Sequence, residues 1–486
     1  MTCKILIHST MQYKFFNNNH PLQILEVIAI IDLNIVNAKI FLEDGLVDAS
    51  LGIDRGKIVV IGTENALPVA QETINASGKI IIPGGIDVHT HILDLIFDYR
   101  ETFFTGTKSA AAGGITTVLE MPLGIEGKSV LEVFDMQLEV MKKRCLVDFG
   151  IIGSAGYTSI DTIAESARKG AIAFKTFMIN PSEEEAELKD LAAKDDYFLM
   201  KIFAEIAKTG LVSSVHAEND IIISNEIKKL VSMGKKDFKA HTASRPAIAE
   251  EEACMRAILL AHHTNVKLNL VHMSSKNAFE YIRRVKQNNW DVTCEITPHH
   301  LFLTSEDGEK LGPWAKVDPP LRSRDHVIAA WQALNDGTID MIASDHSPYS
   351  ENEKNVSQKG DNFFEIGSGT TGLETILPLM LDAVNKKKIS FQRFVESTST
   401  TPAKRFGLYP RKGTIALGAD ADLVIIDMQK EYTLKSEGLF TKPKVTIFEG
   451  MKLKGAIEKT FVRGKLVYDT GTFHVEQGYG EFITPF

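Results

Sequence analysis

The chain has 486 residues, of which 44% are hydrophobic and 24% are charged, a composition typical of a soluble globular protein with a large core. Its formal net charge is -9 and it contains no block of basic residues. These features argue against nucleic acid or an anionic membrane as the main partner. No run approaches the roughly 18 apolar residues of a membrane span. We therefore predict a protein with neither a nucleic-acid nor a membrane partner.

The chain has four cysteines, which are scattered along the sequence at Cys3, Cys145, Cys254 and Cys294 and include no Cys-x-x-Cys pair. This usage suits a reducing compartment and argues against a disulfide framework or a thiolate zinc site. The first 23 residues are polar, rich in asparagine and without the apolar core of a signal peptide. We predict a cytoplasmic protein in which residues 1–23 form an extension that is a candidate for disorder.

Both ends of the chain carry short β-branched runs that are broken by turn signals. The runs are Ile35–Leu42, Val47–Ile53, Lys57–Ile61, Lys412–Gly418, Ala421–Asp427, Lys459–Arg463 and Lys465–Tyr468. Two β-rich ends around a long middle predict one small β-sandwich, built from residues 24–82 and 408–475. Residues 476–486 would then form a C-terminal tail.

The middle of the chain alternates between apolar strand-like runs and helix-like stretches. The strand-like runs are Ile80–His91, Thr116–Met121, Val147–Gly153, Ile172–Phe177, Val212–His216, Lys267–His272, Val292–Ile296 and Met341–Ser344. The helix-like stretches are Gly106–Ala112, Ser129–Lys143, Thr162–Lys169, Asp196–Thr209, Ile248–Thr264, Asn277–Gln287 and Arg324–Leu334. This alternation predicts an α/β fold with a (β/α)8 TIM-like barrel over residues 83–407. In such barrels the chemistry lies at the C-terminal ends of the strands.

Six side chains suited to metal binding lie at those predicted strand ends. They are His89, His91, Lys175, His216, His272 and Asp345. His89 and His91 are two positions apart, so on a strand they point to the same face. Four imidazoles and one carboxylate can hold two divalent ions and leave positions open for water.

Lys175 fits such a cluster only if its amine loses its positive charge, because an ammonium group cannot lie between two cations. Reaction with carbon dioxide would give a carbamate whose two oxygens could bridge the ions. A water molecule shared by the ions would lose a proton near neutral pH and act as a bridging hydroxide nucleophile. Asp345 could bind one ion, accept that proton and deliver it to a leaving nitrogen. The pattern predicts metal-assisted hydrolysis of an amide.

These residues lie in motifs that resemble the cyclic amidohydrolases, the dihydroorotase, allantoinase, hydantoinase and dihydropyrimidinase group of the amidohydrolase superfamily. The motifs are Pro83-Gly-Gly-Ile-Asp-Val-His-Thr-His, Phe174-Lys-Thr-Phe-Met, His216-Ala-Glu, Val271-His-Met-Ser-Ser, Thr297-Pro-His-His-Leu and Ser344-Asp-His-Ser-Pro. The resemblance covers roughly residues 30–480. It implies a barrel with a β-sandwich, two divalent ions for which zinc is expected, and a homodimer or homotetramer.

The resemblance also implies a role for each of the six residues. His89 and His91 would bind one ion, and the other ion would be bound by His216 and His272. Lys175, carboxylated by carbon dioxide, would bridge the two ions. Asp345 would be both a metal ligand and the general base.

The choice of substrate depends on positions where the sequence departs from its relatives. Dihydroorotases have Arg two residues after the second histidine and Asn before Pro-Pro-Leu-Arg, and here these positions hold Leu93 and Asp318. An apolar side chain and a negative charge suit an anionic substrate poorly, because a buried carboxylate favours a bidentate arginine. Arg100, in the following loop, could substitute as the carboxylate ligand.

Hydantoinases have Tyr five residues after the bridging lysine to hydrogen-bond the oxyanion, and here that position is Asn180. We therefore predict a hydrolase that opens the C–N bond of a cyclic amide (EC 3.5.2.-), with an allantoinase-like neutral substrate favoured. A dihydroorotase or a hydantoinase/dihydropyrimidinase is the alternative within this class. The alternative from another class is a non-catalytic relative that serves in protein interaction.

Overall fold

The structure, a computed structural model, describes residues 30–43, 45–181 and 188–485. The predicted N-terminal extension, residues 1–23, lies outside the described residues. The strands are β1 Ile31–Leu42, β2 Gly45–Asp54, β3 Lys57–Gly62, β4 Ala70–Asn75, β5 Ile80–Pro83, β6 Gly85–Thr90, β7 Ile115–Glu120, β8 Asp148–Ser154, β9 Ala173–Phe177, β10 Val212–His216, β11 Lys267–Leu270, β12 Val292–Ile296, β13 Met341–Ile342, β14 Leu423–Thr433, β15 Lys452–Val462, β16 Lys465–Asp469 and β17 Thr472–Phe473.

The α-helices lie mainly between the strands of the middle region. They are α1 Asp94–Phe97, α2 Phe103–Ala112, α3 Val130–Arg144, α4 Ile163–Arg168, α5 Asp196–Thr209, α6 Asp220–Ser232, α7 Phe238–Ser244, α8 Ala247–Thr264, α9 Lys276–Gln287, α10 Pro298–Phe302, α11 Ser305–Leu311, α12 Arg324–Asn335, α13 Glu351–Lys354, α14 Ile376–Asn385, α15 Phe391–Val395 and α16 Thr401–Arg405. Among the described helices, none is long and apolar enough to cross a lipid bilayer.

Strands β6 to β13 form one parallel sheet in which each strand pairs with the next along the chain. The two edges meet beyond the last strand, where Thr90 and His346 form a parallel bridge and the His91 amide donates to the His346 carbonyl at 2.7 Å. The Ser344 amide also donates to Oδ1 of Asp87 at 3.1 Å. These contacts nearly close the sheet into a barrel, and the predicted TIM-like fold is confirmed.

The remaining strands form a second, separate sheet from both terminal regions, as predicted. Its order is β17-β16-β15-β14-β5-β1-β2-β3, with β4 paired to β1, and most of its pairs are antiparallel. An apolar cluster packs on this sheet with Ile35, Leu51, Leu423 and Phe461 at its centre. Burial of apolar surface on one face is what allows such a sheet to be stable.

Two details of the sequence prediction for this sheet are wrong. The run Lys412–Gly418 is not a strand, because Gly413 and Gly418 have φ angles of 78° and 84°, which are incompatible with extended backbone. Strand β4 was not predicted, since its sequence Ala-Gln-Glu-Thr-Ile-Asn has no alternating apolar pattern.

The run Ile80–His91, predicted as one strand, is two strands that belong to different sheets. Strand β5 pairs with β1 and β14, and after Gly84 the chain enters the barrel as β6. Gly84 is required at this crossing, because a Cβ there would lie 2.1 Å from Oγ1 of Thr116. This connection fixes the barrel's first strand, which carries two of the candidate ligands, against the second sheet.

A buried charged cluster joins the two sheets at the opposite end of the barrel. Nζ of Lys412 lies 2.6 Å from Oδ2 of Asp148 on β8 and 2.6 Å from Oδ2 of Asp422. The tail, predicted at 476–486, runs beside β8, where the Ile483 amide donates to the Phe149 carbonyl at 2.9 Å. The three aspartates of this cluster, Asp148, Asp420 and Asp422, are neutralised by the lysine and by Arg463, so they form a structural ion-pair network.

Candidate metal centre and active site

All six predicted ligands converge at the C-terminal end of the barrel. His89, Lys175 and His216 lie within β6, β9 and β10, while His91, His272 and Asp345 follow β6, β11 and β13. His272 and Asp345 have φ angles of 40° and 49°, in the left-handed region that non-glycine residues rarely adopt. Such backbone conformations persist where the surrounding structure holds them, and they concentrate at functional sites.

His89, His91 and Asp345 form one group of potential ligand atoms. The two Nε2 atoms are 3.1 Å apart, and each lies 3.3 Å from Oδ1 of Asp345. Nδ1 of His89 is 3.0 Å from Oε2 of Glu295, which is itself buried on β12. With Oε2 of Glu295 accepting a hydrogen bond from Nδ1–H of His89, the lone pair of Nε2 faces the other two side chains. This is the arrangement of a metal-binding histidine and its carboxylate partner.

His216 and His272 form the second group, with Nδ1 of His216 3.1 Å from Nε2 of His272. Nε2 of His216 lies 3.0 Å from Oε2 of Glu218, a residue only two positions later in the sequence. With Glu218 as acceptor, the lone pair of His216 Nδ1 points into the site. Nδ1 of His272 is buried without a hydrogen-bond partner in the described residues.

Two of the candidate ligands, His89 and His272, are held neutral. Burial, followed by the charge of Lys175, lowers the pKa of His89 well below its usual value. The pKa of His272 is also well below its usual value, mainly because of burial and secondly because of the electrostatic effect of His216. Neutral imidazole is the form that binds divalent transition metals, so the protonation state of this cluster fits a metal site.

Lys175 lies between the two groups, with Nζ 3.3 Å from Nε2 of His89 and 4.8 Å from the centre of the Phe177 ring. No carboxylate of the described residues lies within ion-pair distance of Nζ. Burial lowers the pKa of Lys175 to about 8, although Asp345 and Glu295 act in the opposite direction. The fraction of neutral amine, the form that reacts with carbon dioxide, is therefore higher than for an exposed lysine.

The ligands open into a cavity of about 320 Å³. One part of its wall is apolar, formed by Leu93, Phe177, Ile179 and Ile223. The other part is polar, formed by Glu218, Asp220, Arg245, Asp318, Ser347, Tyr349 and Ser368. The volume and the mixed lining suit a small organic molecule.

Asp318, which the sequence predicted as a substrate contact, lines this cavity. Its negative charge is balanced by Arg245. Nε of Arg245 lies 2.9 Å from Oδ1 of Asp318, and Nη1 of Arg245 hydrogen-bonds Glu218. Burial alone would raise the pKa of both carboxyls, but Arg245 holds each below its usual value. The sequence prediction missed Arg245 and Glu218 as cavity residues, although the motifs Ser244-Arg-Pro and His216-Ala-Glu contain them.

Arg100 and Asn180, the other predicted substrate contacts, are not part of the described cavity lining. Nε of Arg100 donates to Oε1 of Glu353 at 2.8 Å, and its guanidinium lies 3.8 Å from the Phe97 ring and 4.2 Å from the Tyr349 ring. Asn180 is exposed, and its backbone amide lies 3.4 Å from Oδ2 of Asp220. Their direct contact with a substrate stays a prediction.

Comparison with known proteins decides the family. A sequence model of the amidohydrolase family matches residues 80–467. The chain belongs to the amidohydrolase family. Among the relatives of this amidohydrolase, an L-hydantoinase from Paenarthrobacter aurescens is 36% identical over 456 residues, which are 93% of this chain and 98% of the relative. A dihydroorotase from Methanosarcina acetivorans is 34% identical (93% and 95% of the two chains), and an allantoinase from Bacillus licheniformis is 33% identical (93% and 99%).

A solved structure of L-hydantoinase (dihydropyrimidinase) from Arthrobacter aurescens is similar to the amidohydrolase at a TM-score of 0.89 and 36% identity. The match covers 94% of this chain and all of the other. The family predicted from the sequence is confirmed, and so is the predicted class of enzyme, a cyclic amidohydrolase. The alternative of a non-catalytic relative lacks support, because all six candidate ligands are present and converge.

Proposed function

We propose that this amidohydrolase opens a neutral five-membered cyclic ureide, the hydantoin ring, by metal-assisted attack of water on a ring carbonyl carbon. The main support for this proposal is that Arg245 is already paired with two carboxylates. It is the only arginine among the described residues that line the cavity, and it already contacts the carboxylates of Glu218 and Asp318. No guanidinium is left to bind a carboxylate on the substrate, as dihydroorotate would require.

The six convergent residues fit a centre of two divalent ions, for which zinc is proposed. His89 and His91 would hold one ion, His216 and His272 the other, and Asp345 would complete the first group. Lys175, as the carbamate, would supply oxygens to both ions. Bound ions would supply the activation of water at neutral pH. This set fits because the imidazoles of His89 and His272 are neutral and Lys175 has no carboxylate partner among the described residues.

Asp345 supplies the proton transfer in this proposal. Its carboxylate accepts the proton of the attacking water and passes it to the ring nitrogen as the C–N bond breaks. Glu295 and Glu218 orient His89 and His216 by accepting their outward N–H groups, which keeps both lone pairs turned into the site. The products are a free carboxylate and an opened urea.

The apolar wall favours a hydantoin with an apolar substituent on the ring. Leu93, Phe177, Ile179 and Ile223 offer no hydrogen bond from their side chains, so they suit an alkyl or aryl group. The similarity to an L-hydantoinase supports this choice. Allantoin, which has the same ring with a polar ureido substituent, is the second candidate and is favoured by two serines of the cavity lining, Ser347 and Ser368.

The test is hydrolysis of a 5-alkylhydantoin, allantoin, dihydrouracil and dihydroorotate by metal-loaded protein, each with and without chelator. We expect chelator-sensitive turnover of the two hydantoin rings, with the alkyl compound faster. Preferential turnover of dihydroorotate would contradict the argument from Arg245, and turnover that survives chelation would contradict the metal centre.

A variant of Asp318 tests whether the pairing of Arg245 disfavours an anionic substrate. Asp318→Asn removes one of the two negative partners of Arg245 and frees part of its hydrogen-bonding capacity. We expect the kcat/KM for dihydroorotate to rise relative to that for the hydantoin by about tenfold, the effect of one charge-assisted hydrogen bond. Asp361→Asn, on the exposed surface, is the control. An unchanged ratio would mean that Arg245 does not limit binding of anionic substrates.

We also propose that the enzyme is a cytoplasmic homo-oligomer, a dimer or tetramer. Helix α8 supports assembly because Ile248, Met255 and Leu259 are 55%, 49% and 62% exposed and lie near one face of the helix. Three free, buried cysteines among the described residues suit a reducing compartment. Light scattering of the purified protein tests the assembly, and a monomer at micromolar concentration would contradict it.

A further inference from the structure

Tyr349 is a cavity residue whose ring is held in place from outside the cavity. The guanidinium carbon of Arg100 lies 4.2 Å from the ring centre, within the range of a cation–π contact. Gly367 packs so closely that a Cβ there would lie 2.1 Å from Cε1 of the tyrosine. Arg100 is itself fixed by Glu353 and by the Phe97 ring. The ring therefore has little freedom to rotate away from the cavity.

The Tyr349 hydroxyl has no hydrogen-bond partner within residues 30–43, 45–181 and 188–485. Two other tyrosine hydroxyls, outside the cavity, do have partners, since Tyr99 donates to Glu353 at 2.9 Å and Tyr479 donates to the Val462 carbonyl at 2.8 Å. A buried or half-buried tyrosine usually finds such a partner. Burial and the nearby carboxylates of Asp318 and Asp345 keep the pKa of Tyr349 above its usual value, so the hydroxyl remains a donor.

We propose that the Tyr349 hydroxyl donates a hydrogen bond to the carbonyl oxygen of the substrate and stabilises the negative charge that develops there. Asn180, at the position where hydantoinases have tyrosine, is exposed and outside the described cavity lining, so Tyr349 supplies the phenol from the loop after β13. In this proposal Arg100 is a positioning residue that acts through the ring of Tyr349.

The chemistry balances without further reactants. The oxygen of water forms a bond to the carbonyl carbon, and the carbonyl π pair moves onto the oxygen that accepts the hydrogen bond from Tyr349. Asp345 takes the proton from the attacking water. When the electron pair on the oxygen re-forms the carbonyl double bond, the C–N bond breaks. The proton held by Asp345 then moves to the leaving nitrogen. Tyr349 keeps its own proton throughout, because it stabilises charge and does not transfer a proton.

The inference rests on the proposed reaction class, attack on a ring carbonyl, and not on the choice of ring. The experiment compares Tyr349→Phe with wild type on whichever cyclic amide of the panel is opened. We expect kcat to fall about 100-fold, the effect of losing one donor to a developing oxyanion, and KM to rise by no more than about threefold. The matched control is Tyr99→Phe, which removes a hydroxyl that also lies beside Arg100 and Glu353 but outside the cavity, and we expect it to stay within twofold of wild type.

Direct binding gives a readout that does not need turnover. Calorimetry with the 5-alkylhydantoin should show binding weakened about threefold in Tyr349→Phe and unchanged in Tyr99→Phe, as for one neutral hydrogen bond. An unchanged kcat in Tyr349→Phe overturns the inference, and if no panel compound is opened, unchanged binding overturns it. Turnover of dihydroorotate alone would contradict the proposed function but would still test Tyr349, because every ring of the panel has the carbonyl oxygen.

A double-variant cycle tests the positioning role of Arg100. Arg100→Gln should lower kcat about tenfold in the wild-type background and should have no further effect in the Tyr349→Phe background. A general structural defect would lower activity equally in both backgrounds. Equal effects would therefore overturn the coupling between Arg100 and Tyr349.

Discussion

Oε2 of Glu295 lies 3.0 Å from Nδ1 of His89, although 206 residues separate the two in sequence. The contact exists because β12 and β6 both belong to the barrel and the two side chains point into its interior. Oε1 of the same carboxyl accepts a hydrogen bond from the amide of Asn269 on β11. The orientation of a candidate metal ligand on the first barrel strand therefore depends on two later strands.

The first prediction concerns this orientation. Glu295→Gln should reduce the affinity for zinc by about 10–100-fold, because glutamine has one acceptor oxygen, for which His89 and Asn269 would compete. Competition against a coloured chelator measures the affinity. Glu280→Gln, an exposed change on α9, is the control and should bind metal like wild type. Equal affinities of the two variants would contradict the role of Glu295.

The second prediction concerns the carbamate. Lys175→Ala should lower the metal content and the rate of ring opening together, because both ions would lose their shared ligand. Elemental analysis and steady-state kinetics measure the two effects, with Lys201→Ala on the exposed face of α5 as the control. Metal-free wild type, reconstituted with zinc, should regain more activity when bicarbonate is present. An active, fully metal-loaded Lys175→Ala enzyme would exclude the carbamate bridge.

The third prediction concerns the general base. Asp345→Asn should keep the fold, as judged by circular dichroism, but lower kcat by at least about 100-fold, since the amide cannot accept the proton of water. Near-normal turnover would mean that another group takes the proton.

The fourth prediction is a dependence of stability on pH. Lys354 is buried, and its Nζ donates to the carbonyls of Gly367 at 2.9 Å and Pro313 at 3.1 Å. Burial, followed by the charge of Lys316, lowers the pKa of Lys354 to about 7, below the value of 10.5 in the unfolded chain. The unfolded state therefore binds more protons between these two values, and the free energy of unfolding should gain a contribution that rises from pH 7 towards pH 10.5.

Urea titrations at pH 7 and pH 9.5 measure this contribution. Lys354→Met cannot titrate, so the stability of wild type relative to this variant should increase between the two pH values. The control is Lys359→Met, at an exposed position of the same loop, whose stability relative to wild type should stay constant. A wild-type advantage that does not grow with pH would contradict the lowered pKa.

The positions of the six ligands were predictable because they depend on local pattern and on one general property of parallel barrels. His216, for example, ends the run Val-Ser-Ser-Val-His, whose strand-like pattern predicts that the residue lies at the end of a strand. The C-terminal ends of parallel strands meet at one face, so residues at those ends come together whatever the details of packing. Family membership likewise followed from motifs that surround these ends.

The connections between elements were less predictable. The run Ile80–His91 was predicted as one strand, although its Pro83-Gly-Gly bend lies at the point where the chain leaves one sheet for the other. The crossing at Gly84 depends on the close approach of Thr116, a residue from the next barrel strand. Strand β4, polar along most of its length, forms because it pairs with β1, and pairing with a distant strand is not encoded in the pattern of a short segment.

The sequence by itself determined the barrel, the class of enzyme and which residues are candidate ligands. Only the tertiary structure showed that Arg245 forms ion pairs with Glu218 and Asp318. It also showed that Arg100 packs on the Tyr349 ring instead of lining the cavity. The physical reason is that a charged side chain pairs with whichever opposite charge the closed fold brings within a few ångströms. Those partners come from different loops, and their distances exist only after the barrel has closed.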